Sequence, residues 1–237
     1  MMKGCLLIHG FTGSPFEVEP LAGYLAEHTE WKVAVPTLPG HGEELELKGI
    51  LHHEWIECAE EALKNLLDEC EEVYLVGFSM GGLIAGYLAA RYPVSRLVLL
   101  SAAAYYINFE QLLKDIKEII NDSLNGKLKE NELFNRYKKK IISTPISSTR
   151  EFKKIVKLSK SVLGQIDIPT FIAQGEEDGI VPIKSAYYLY DKIGSSRKIL
   201  RLEPGAKHLI CHCDGQMELF DEIFCFLTEK NKGRSLR

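Results

Sequence analysis

The chain has 237 residues, of which 46% are hydrophobic and 26% are charged, and its formal net charge is −4. Its length suits one α/β domain with an insertion and is short for two domains, so we expect one hydrophobic core. The slightly acidic balance gives no reason to expect nucleic acid as a partner, and six cysteines without a disulfide spacing pattern favour reduced thiols, so a small-molecule substrate is the default expectation.

The first predicted element is a short strand over residues 3–8, which leads into a Gly-rich loop beginning at His9-Gly10. The apolar run stops at this loop and is too short for a signal peptide or a membrane span. We therefore expect a cytoplasmic protein without stable membrane insertion. A monomer or a homodimer is expected. After the loop, Ser14, Pro15 and Glu17 predict the start of a helix. Serine caps helices, proline suits the first helical position, and a glutamate three residues after the cap completes a capping box.

Further along the chain, strand and helix patterns alternate as far as residue 104. Helices are recognised by apolar residues at helical spacing, and strands by short apolar runs. The predicted elements are strand 31–36, helix 53–69, strand 73–76, helix 83–90 and strand 97–100. This alternation predicts a parallel sheet that is covered by helices on both faces.

The central motif is Gly77-Phe78-Ser79-Met80-Gly81, which lies between a predicted strand and a small-residue helix. A serine on such a tight turn has a strained backbone that exposes its Oγ, and glycines two residues either side avoid collisions of a β-carbon with the neighbouring strand and helix. The five-residue pattern alone also fits a Gly-rich turn with an ordinary exposed serine. Its strand-to-helix context favours a nucleophile elbow with Ser79 as the nucleophile.

Between residues 105 and 165 the strand signal disappears, and apolar residues recur at helical spacing. We therefore divide the chain into a first core part at 1–104, a helical lid insertion at 105–165 and a second core part at 166–237. Leu112 and Ile116 are apolar positions of the first helical pattern in this insertion. We expect both side chains to bind the acyl chain of a substrate.

Strand patterns resume after the insertion, and two of them are followed by residues suited to nucleophilic catalysis. Asp178 comes after the strand predicted at 168–174, and His208 comes after the strand at 198–202. A serine hydroxyl needs a base within hydrogen-bond reach, and the base needs an acid that fixes its tautomer. Because the carboxyl ends of parallel strands meet at one edge of a sheet, we expect Ser79, Asp178 and His208 to converge there.

These motifs together resemble the α/β-hydrolase fold, and within it the small bacterial carboxylesterase and monoacylglycerol lipase group. The resemblance covers essentially the whole chain. Its matching features are His9-Gly10-Phe11-Thr12-Gly13, Pro39-Gly40-His41-Gly42, Gly77-Phe78-Ser79-Met80-Gly81-Gly82, the helical insertion, Pro169-Thr170-Phe171 leading to Asp178, and the late His208.

The resemblance implies roles for individual residues. Ser79 is then the nucleophile, Asp178 the acid and His208 the base, and the backbone N–H groups of Phe11 and Met80 form the oxyanion hole. By the same likeness Gly10 binds substrate, with the lid residues named above. The fold usually begins with two further strands before the His-Gly loop, whereas only residues 1 and 2 precede the first strand here, so a six-stranded core is implied.

Alternative residues exist for some of these roles. Glu176 and Glu177 compete as the acid, although Asp178, directly before a glycine, best matches the position of the family, and His212 is a distant second choice as base. The Cys-His-Cys cluster at 211–213 lacks the second ligand pair that zinc spacing usually shows, so we expect no metal. The proposed chemistry needs no cofactor either.

The sequence thus predicts a serine carboxylesterase that hydrolyses short- to medium-chain acyl esters, including monoacylglycerols, through an acyl-enzyme. The acyl preference rests on the resemblance. A thioesterase, a C–C bond hydrolase or an acyltransferase would use the same three residues and differ only in the pocket. A ligand-binding homologue without catalysis is the alternative from another class of protein.

Overall fold

The computed structural model describes residues 2–42, 44–105 and 144–229. Its strands are β1 Lys3–Ile8, β2 Lys32–Ala34, β3 Glu72–Phe78, β4 Arg96–Leu100, β5 Thr170–Gly175 and β6 Lys198–Glu203. The helices are α1 Glu19–His28, α2 His52–Glu69, α3 Met80–Ala89, α4 Ile146–Val162, α5 Lys184–Lys192 and α6 Gln216–Thr228. Short 3₁₀ turns lie at Pro15–Glu17, Leu163–Gln165 and Ile210–His212.

The six strands form one sheet in the order β2-β1-β3-β4-β5-β6, and every neighbouring pair is parallel. The expected six-stranded α/β-hydrolase sheet is therefore confirmed. Because all strands run the same way, their carboxyl ends meet at one edge, where open α/β sheets bind ligands. β3 lies third in the order, so the turn that follows it is near the middle of that edge.

Helices cover both faces of the sheet, and the side chains of each strand alternate between the two faces. In β1, for example, Leu6 and Ile8 belong to the core cluster that includes residues of α2, α3, α4 and α5, whereas Cys5 and Leu7 belong to the cluster that includes residues of α1 and α6. Both sets of side chains are buried, and burial of one large aliphatic side chain contributes about 1.5–3 kcal/mol to folding. The continuous apolar runs of the sequence are thus explained by strands with two buried faces.

Helix α4 confirms the helical pattern predicted for the end of the insertion. Its buried residues Phe152 and Ile155 join the same core as α2 and α3. Residues 106–143 lie outside the described residues, and with them Leu112 and Ile116. The lid and its boundaries at 105 and 165 therefore stay predictions.

Candidate active site

Ser79 occupies the sharp turn between β3 and α3. Its backbone has φ 53° and ψ −115°, a conformation that costs a non-glycine residue free energy. The N–H of Ser79 donates to the carbonyl oxygen of Leu100 at 2.9 Å, which ties the turn to the end of the neighbouring strand β4. This hydrogen bond to β4 thus helps to hold the strained backbone conformation of Ser79.

The two flanking glycines are required by close backbone contacts. A β-carbon at Gly77 would lie 2.3 Å from the carbonyl oxygen of Gly81, and one at Gly81 would lie 2.2 Å from the carbonyl oxygen of Ile8. Neither contact is possible, so any other residue would push α3 away from the sheet. Both the helix and the neighbouring strand are involved, as the sequence predicted.

The structure brings Ser79, His208 and Asp178 together at the carboxyl edge of the sheet. His208 Nε2 lies 3.1 Å from Ser79 Oγ, and His208 Nδ1 lies 2.8 Å from Asp178 Oδ2. The Asp178 side chain is fully buried, and the His208 side chain is 12% exposed. The imidazole also packs on the Phe78 ring, with centroids 4.8 Å apart. A serine hydroxyl, an imidazole and a carboxylate are thus connected in the order that acyl transfer requires.

The carboxylate of Asp178 is held by four donors. Its Oδ1 accepts the backbone N–H groups of Ile180 and Val181, each at 2.8 Å. Its Oδ2 accepts the Nε2 of Gln174 at 2.7 Å as well as His208 Nδ1. With this set of partners the carboxylate has a fixed plane, and Oδ2 faces the imidazole.

The alternative candidates for the acid and the base make other contacts or are exposed. Glu176 and Glu177 are both exposed, beside the loop that holds Asp178. The ring of His212 stacks on Phe16 at a centroid distance of 4.4 Å, and its Nε2 lies 2.9 Å from the carbonyl oxygen of Phe16. The geometry therefore favours Asp178 and His208 over these competitors.

Two carboxyl groups affect the protonation of His208. Burial alone would lower the pKa of His208, but the charge of Asp178, its hydrogen bond and the charge of Glu17 outweigh this effect. The pKa is therefore raised above its ordinary value of 6.5. The imidazolium that forms when a base takes a proton from serine is stabilised by the same groups.

The loop after β1 lies directly against the turn of Ser79. A β-carbon on Gly10 would lie 3.1 Å from Ser79 Cβ, a tight contact that would push the two loops slightly apart, so glycine suits this approach. The Gly10 N–H donates to Glu17 Oε2 at 2.7 Å, inside the protein. Met80 is the first residue of α3, and the N–H groups of a first helical turn have no acceptor within their own helix. Phe11 follows Gly10 in the loop that approaches Ser79, and Met80 follows Ser79 in the chain.

Glu17 does not cap a helix, although its spacing from Ser14 predicted that it would. The predicted helix start at Ser14 and Pro15 is present as the 3₁₀ turn Pro15–Glu17, but the expected capping box is wrong because Ser14 makes no side-chain cap. The α-helix α1 begins only at Glu19. The Glu17 carboxylate instead turns inward to Gly10, and the side chain is almost fully buried. A β-carbon on Gly13 would lie 2.1 Å from Glu17 Oε2, so the loop closes over the carboxylate only because residue 13 is glycine.

Aromatic side chains surround the loop on the side of α4. The Phe11 ring stacks on Phe152 of α4 with centroids 5.3 Å apart and an interplanar angle of 28°. It also meets the Trp55 ring of α2 edge-on, at 5.7 Å. Partly exposed Phe11 is thus backed by two buried rings, and one of them belongs to α4, near the end of the segment that we expect to form the lid.

Within residues 2–42, 44–105 and 144–229, no group of three or more His, Cys, Asp or Glu side chains could hold a metal ion. In the same part of the chain, no helix combines the length and the apolar character needed to cross a membrane.

The sheet order and the strained serine turn at its centre define the chain as an α/β-hydrolase. Residues 2–213 match the model of the family described as serine aminopeptidase, S33, and the chain belongs to this family of serine hydrolases.

Curated relatives and solved structures agree with this family. The chain is 32% identical to a thermostable monoacylglycerol lipase of Bacillus sp. (strain H-257), over 84% of this chain and 80% of that protein. It is 24% identical to a carboxylesterase of Bacillus subtilis (strain 168), over 96% and 93% of the two chains. A crystal structure of a monoacylglycerol lipase of Paleococcus ferrophilus has the same fold, with a TM-score of 0.71, 19% identity and coverage of 94% and 93%.

Proposed function

We propose that this protein is a serine carboxylesterase in which Ser79, His208 and Asp178 form the catalytic triad. The observation that supports this best is the continuous hydrogen-bonded connection from Ser79 Oγ through the imidazole to Asp178 Oδ2, with distances of 3.1 and 2.8 Å. A chance cluster of three polar side chains would not also place the serine on a strained turn.

In the proposed mechanism, His208 Nε2 takes the proton of the Ser79 hydroxyl while Oγ attacks the ester carbonyl. Asp178 keeps the proton of the neutral imidazole on Nδ1 and stabilises the imidazolium that forms. The imidazolium then gives its proton to the leaving alcohol. Water then attacks the acyl-enzyme by the same steps, with His208 as the base, and releases the carboxylic acid and free Ser79.

The negative charge of the tetrahedral intermediate needs donors next to Ser79. We assign this role to the backbone N–H groups of Phe11 and Met80, one from the loop after β1 and one from the start of α3. Gly10 supports the site by permitting the close approach of that loop. Removal of one side-chain oxyanion donor in another serine hydrolase costs about 2.7–4 kcal/mol of transition-state stabilisation.

The substrate class that we propose is acyl esters of short to medium chain length, with monoacylglycerols among them. Phe11, partly exposed and backed by the buried rings of Phe152 and Trp55, suits contact with an alkyl chain. The relative that is 32% identical is named a monoacylglycerol lipase, which favours the same class. Leu112 and Ile116 of the predicted lid would add to this contact.

Purified protein tests the proposal with a panel of p-nitrophenyl esters from acetate to palmitate, monoacylglycerols, acyl thioesters and aminoacyl anilides. We expect ester hydrolysis to dominate and a fluorophosphonate probe to label Ser79, with the Ser79→Ala variant as the unlabelled control. Faster cleavage of thioesters or of anilides would replace the ester assignment. A protein that neither turns over any substrate nor reacts with the probe would be a binding protein.

A further inference from the structure

Gln174 occupies a position where the strand pattern demands an apolar side chain. It is the penultimate residue of β5 and is completely buried. Ile172, two residues earlier on the same face of the strand, belongs to the apolar core with α3 and α5. A buried amide at this position loses its hydration, and every polar atom that finds no partner costs about 1–3 kcal/mol.

The amide group of Gln174 is satisfied on one side only. Its Nε2 is close to three acceptors, which are Asp178 Oδ2 at 2.7 Å, the Val181 carbonyl oxygen at 3.2 Å and the Gly175 carbonyl oxygen at 3.5 Å. Its Oε1 is buried and has no hydrogen-bond partner among the described residues. The opposite amide orientation would place Oε1 against three oxygens, so the donor must face Asp178. The side chain thus weakens the core at one end and binds the carboxylate at the other.

We propose that Gln174 is a positioning residue that acts through Asp178, because its amide donates to the same carboxylate oxygen that accepts His208 Nδ1. This role rests on the proposed function, in which that carboxylate serves the base. The amide fixes Oδ2 in front of the imidazole and withdraws part of its negative charge. The strength with which Asp178 stabilises the imidazolium is thereby limited.

The direction of the effect follows from the groups around the imidazole. His208 faces two carboxyl groups, Asp178 through a hydrogen bond and Glu17 through its charge. Without the Gln174 donor, Oδ2 has only the imidazole as a partner and acts on it with more of its charge. The protonated form of His208 is then favoured, so the acidic limb of the kcat/KM profile moves to higher pH.

The test compares Gln174→Met, which keeps the length of the side chain and removes the amide, with Thr170→Val as the matched control. Thr170 is also buried on β5, and its hydroxyl donates to the Ile168 carbonyl oxygen at 3.0 Å, away from Asp178. For Gln174→Met we expect an upward shift of the acidic limb, an about tenfold loss of kcat with KM little changed, and a Tm that does not fall. For Thr170→Val we expect an unchanged pH profile.

An NMR titration of the histidine ring protons, assigned with His208→Gln, gives a second readout that needs no turnover. It should show a higher pKa for His208 in Gln174→Met than in the unsubstituted protein. The proposal would be overturned if Gln174→Met had a lower Tm but the same acidic limb of kcat/KM and the same His208 pKa as the unsubstituted protein. Gln174 would then have only a structural role. If the unsubstituted protein hydrolysed no ester, the proposed function would fail, and the NMR comparison would still decide whether Gln174 controls His208.

Discussion

Substitution of Glu151 by glutamine should destabilise the protein in a pH-dependent way. This carboxylate joins α4 to the start of α2, because its Oε2 accepts the backbone N–H of His52 at 3.1 Å and contacts the ring Nδ1 at 2.7 Å. Lys154 donates to its Oε1 at 2.7 Å. The next residue, Phe152, stacks on Phe11 beside the candidate active site. The contacts of Glu151 with His52 thus anchor to α2 the helix whose Phe152 packs on Phe11.

The expected loss of folding stability follows from the pKa of Glu151. Burial alone would raise this pKa, but the hydrogen bonds from Lys154 and from His52 outweigh burial and lower it from 4.5 to about 2. At about 1.4 kcal/mol per pH unit, this corresponds to roughly 3 kcal/mol of folding stability at neutral pH. Lys154 is 53% exposed, and solvent screening of its charge reduces the figure to about 2–3 kcal/mol. For a chain of this length, Tm should fall by roughly 4–12 °C.

Because the pKa of Glu151 is depressed in the folded state, its contribution is complete above pH 4.5 and is lost as the pH falls towards 2. Thermal unfolding of Glu151→Gln and the unsubstituted protein at pH 7 and pH 3 tests this. The difference in Tm at pH 3 should be about half of that at pH 7, or less. Glu61→Gln, an exposed change on α2, is the control and should leave Tm nearly unchanged. A Tm difference below about 2 °C at pH 7, or an equal difference at both pH values, would refute the reasoning.

The remaining predictions concern turnover. Ser79→Ala should lower kcat by about a thousandfold or more and leave Tm almost unchanged, and retained activity would exclude Ser79 as nucleophile. Asp178→Asn should be as severe because the imidazole then adopts the wrong tautomer, whereas Glu177→Gln should be mild; the reverse order in steady-state kinetics would move the acid to Glu177. Glu17→Gln keeps an acceptor for the loop but removes a charge that raises the pKa of His208, so the acidic limb of kcat/KM should move to lower pH. A limb that stays in place would show that the carboxyl of Glu17 acts only as a hydrogen-bond acceptor.

The sheet could be predicted from the sequence because each of its central strands is buried on both faces. Such strands appear as continuous apolar runs, and the predicted and observed bounds of β1 coincide at residues 3–8. The edge strand β2 was harder to delimit, since only residues 32–34 pair with β1 although the apolar pattern runs from 31 to 36. Pairing partners, which a single sequence does not contain, decide where such an edge strand ends.

The convergence of Ser79, Asp178 and His208 could be predicted for a related reason. Each follows a strand, and parallel topology brings strand ends to one edge whatever the details of packing. The contacts of Glu17 and Gln174 could not be predicted, because both depend on how loops fold back over the sheet. Glu17 had the spacing of a helix cap, and Gln174 belongs to no motif. Local patterns do not distinguish a solvated polar residue from a buried one whose partner is distant in sequence.

In the proposed mechanism, Glu17 and Gln174 act on the pKa of His208 in opposite directions. The charges of Glu17 and Asp178 both favour the imidazolium. The Gln174 amide, which donates to Asp178, weakens the contribution of Asp178. A base with too low a pKa takes the serine proton poorly, and one with too high a pKa is protonated at neutral pH and returns its proton reluctantly to the leaving group. In the proposed mechanism, two buried polar residues, each unfavourable for the core, thus oppose one another in their effect on the pKa of one imidazole.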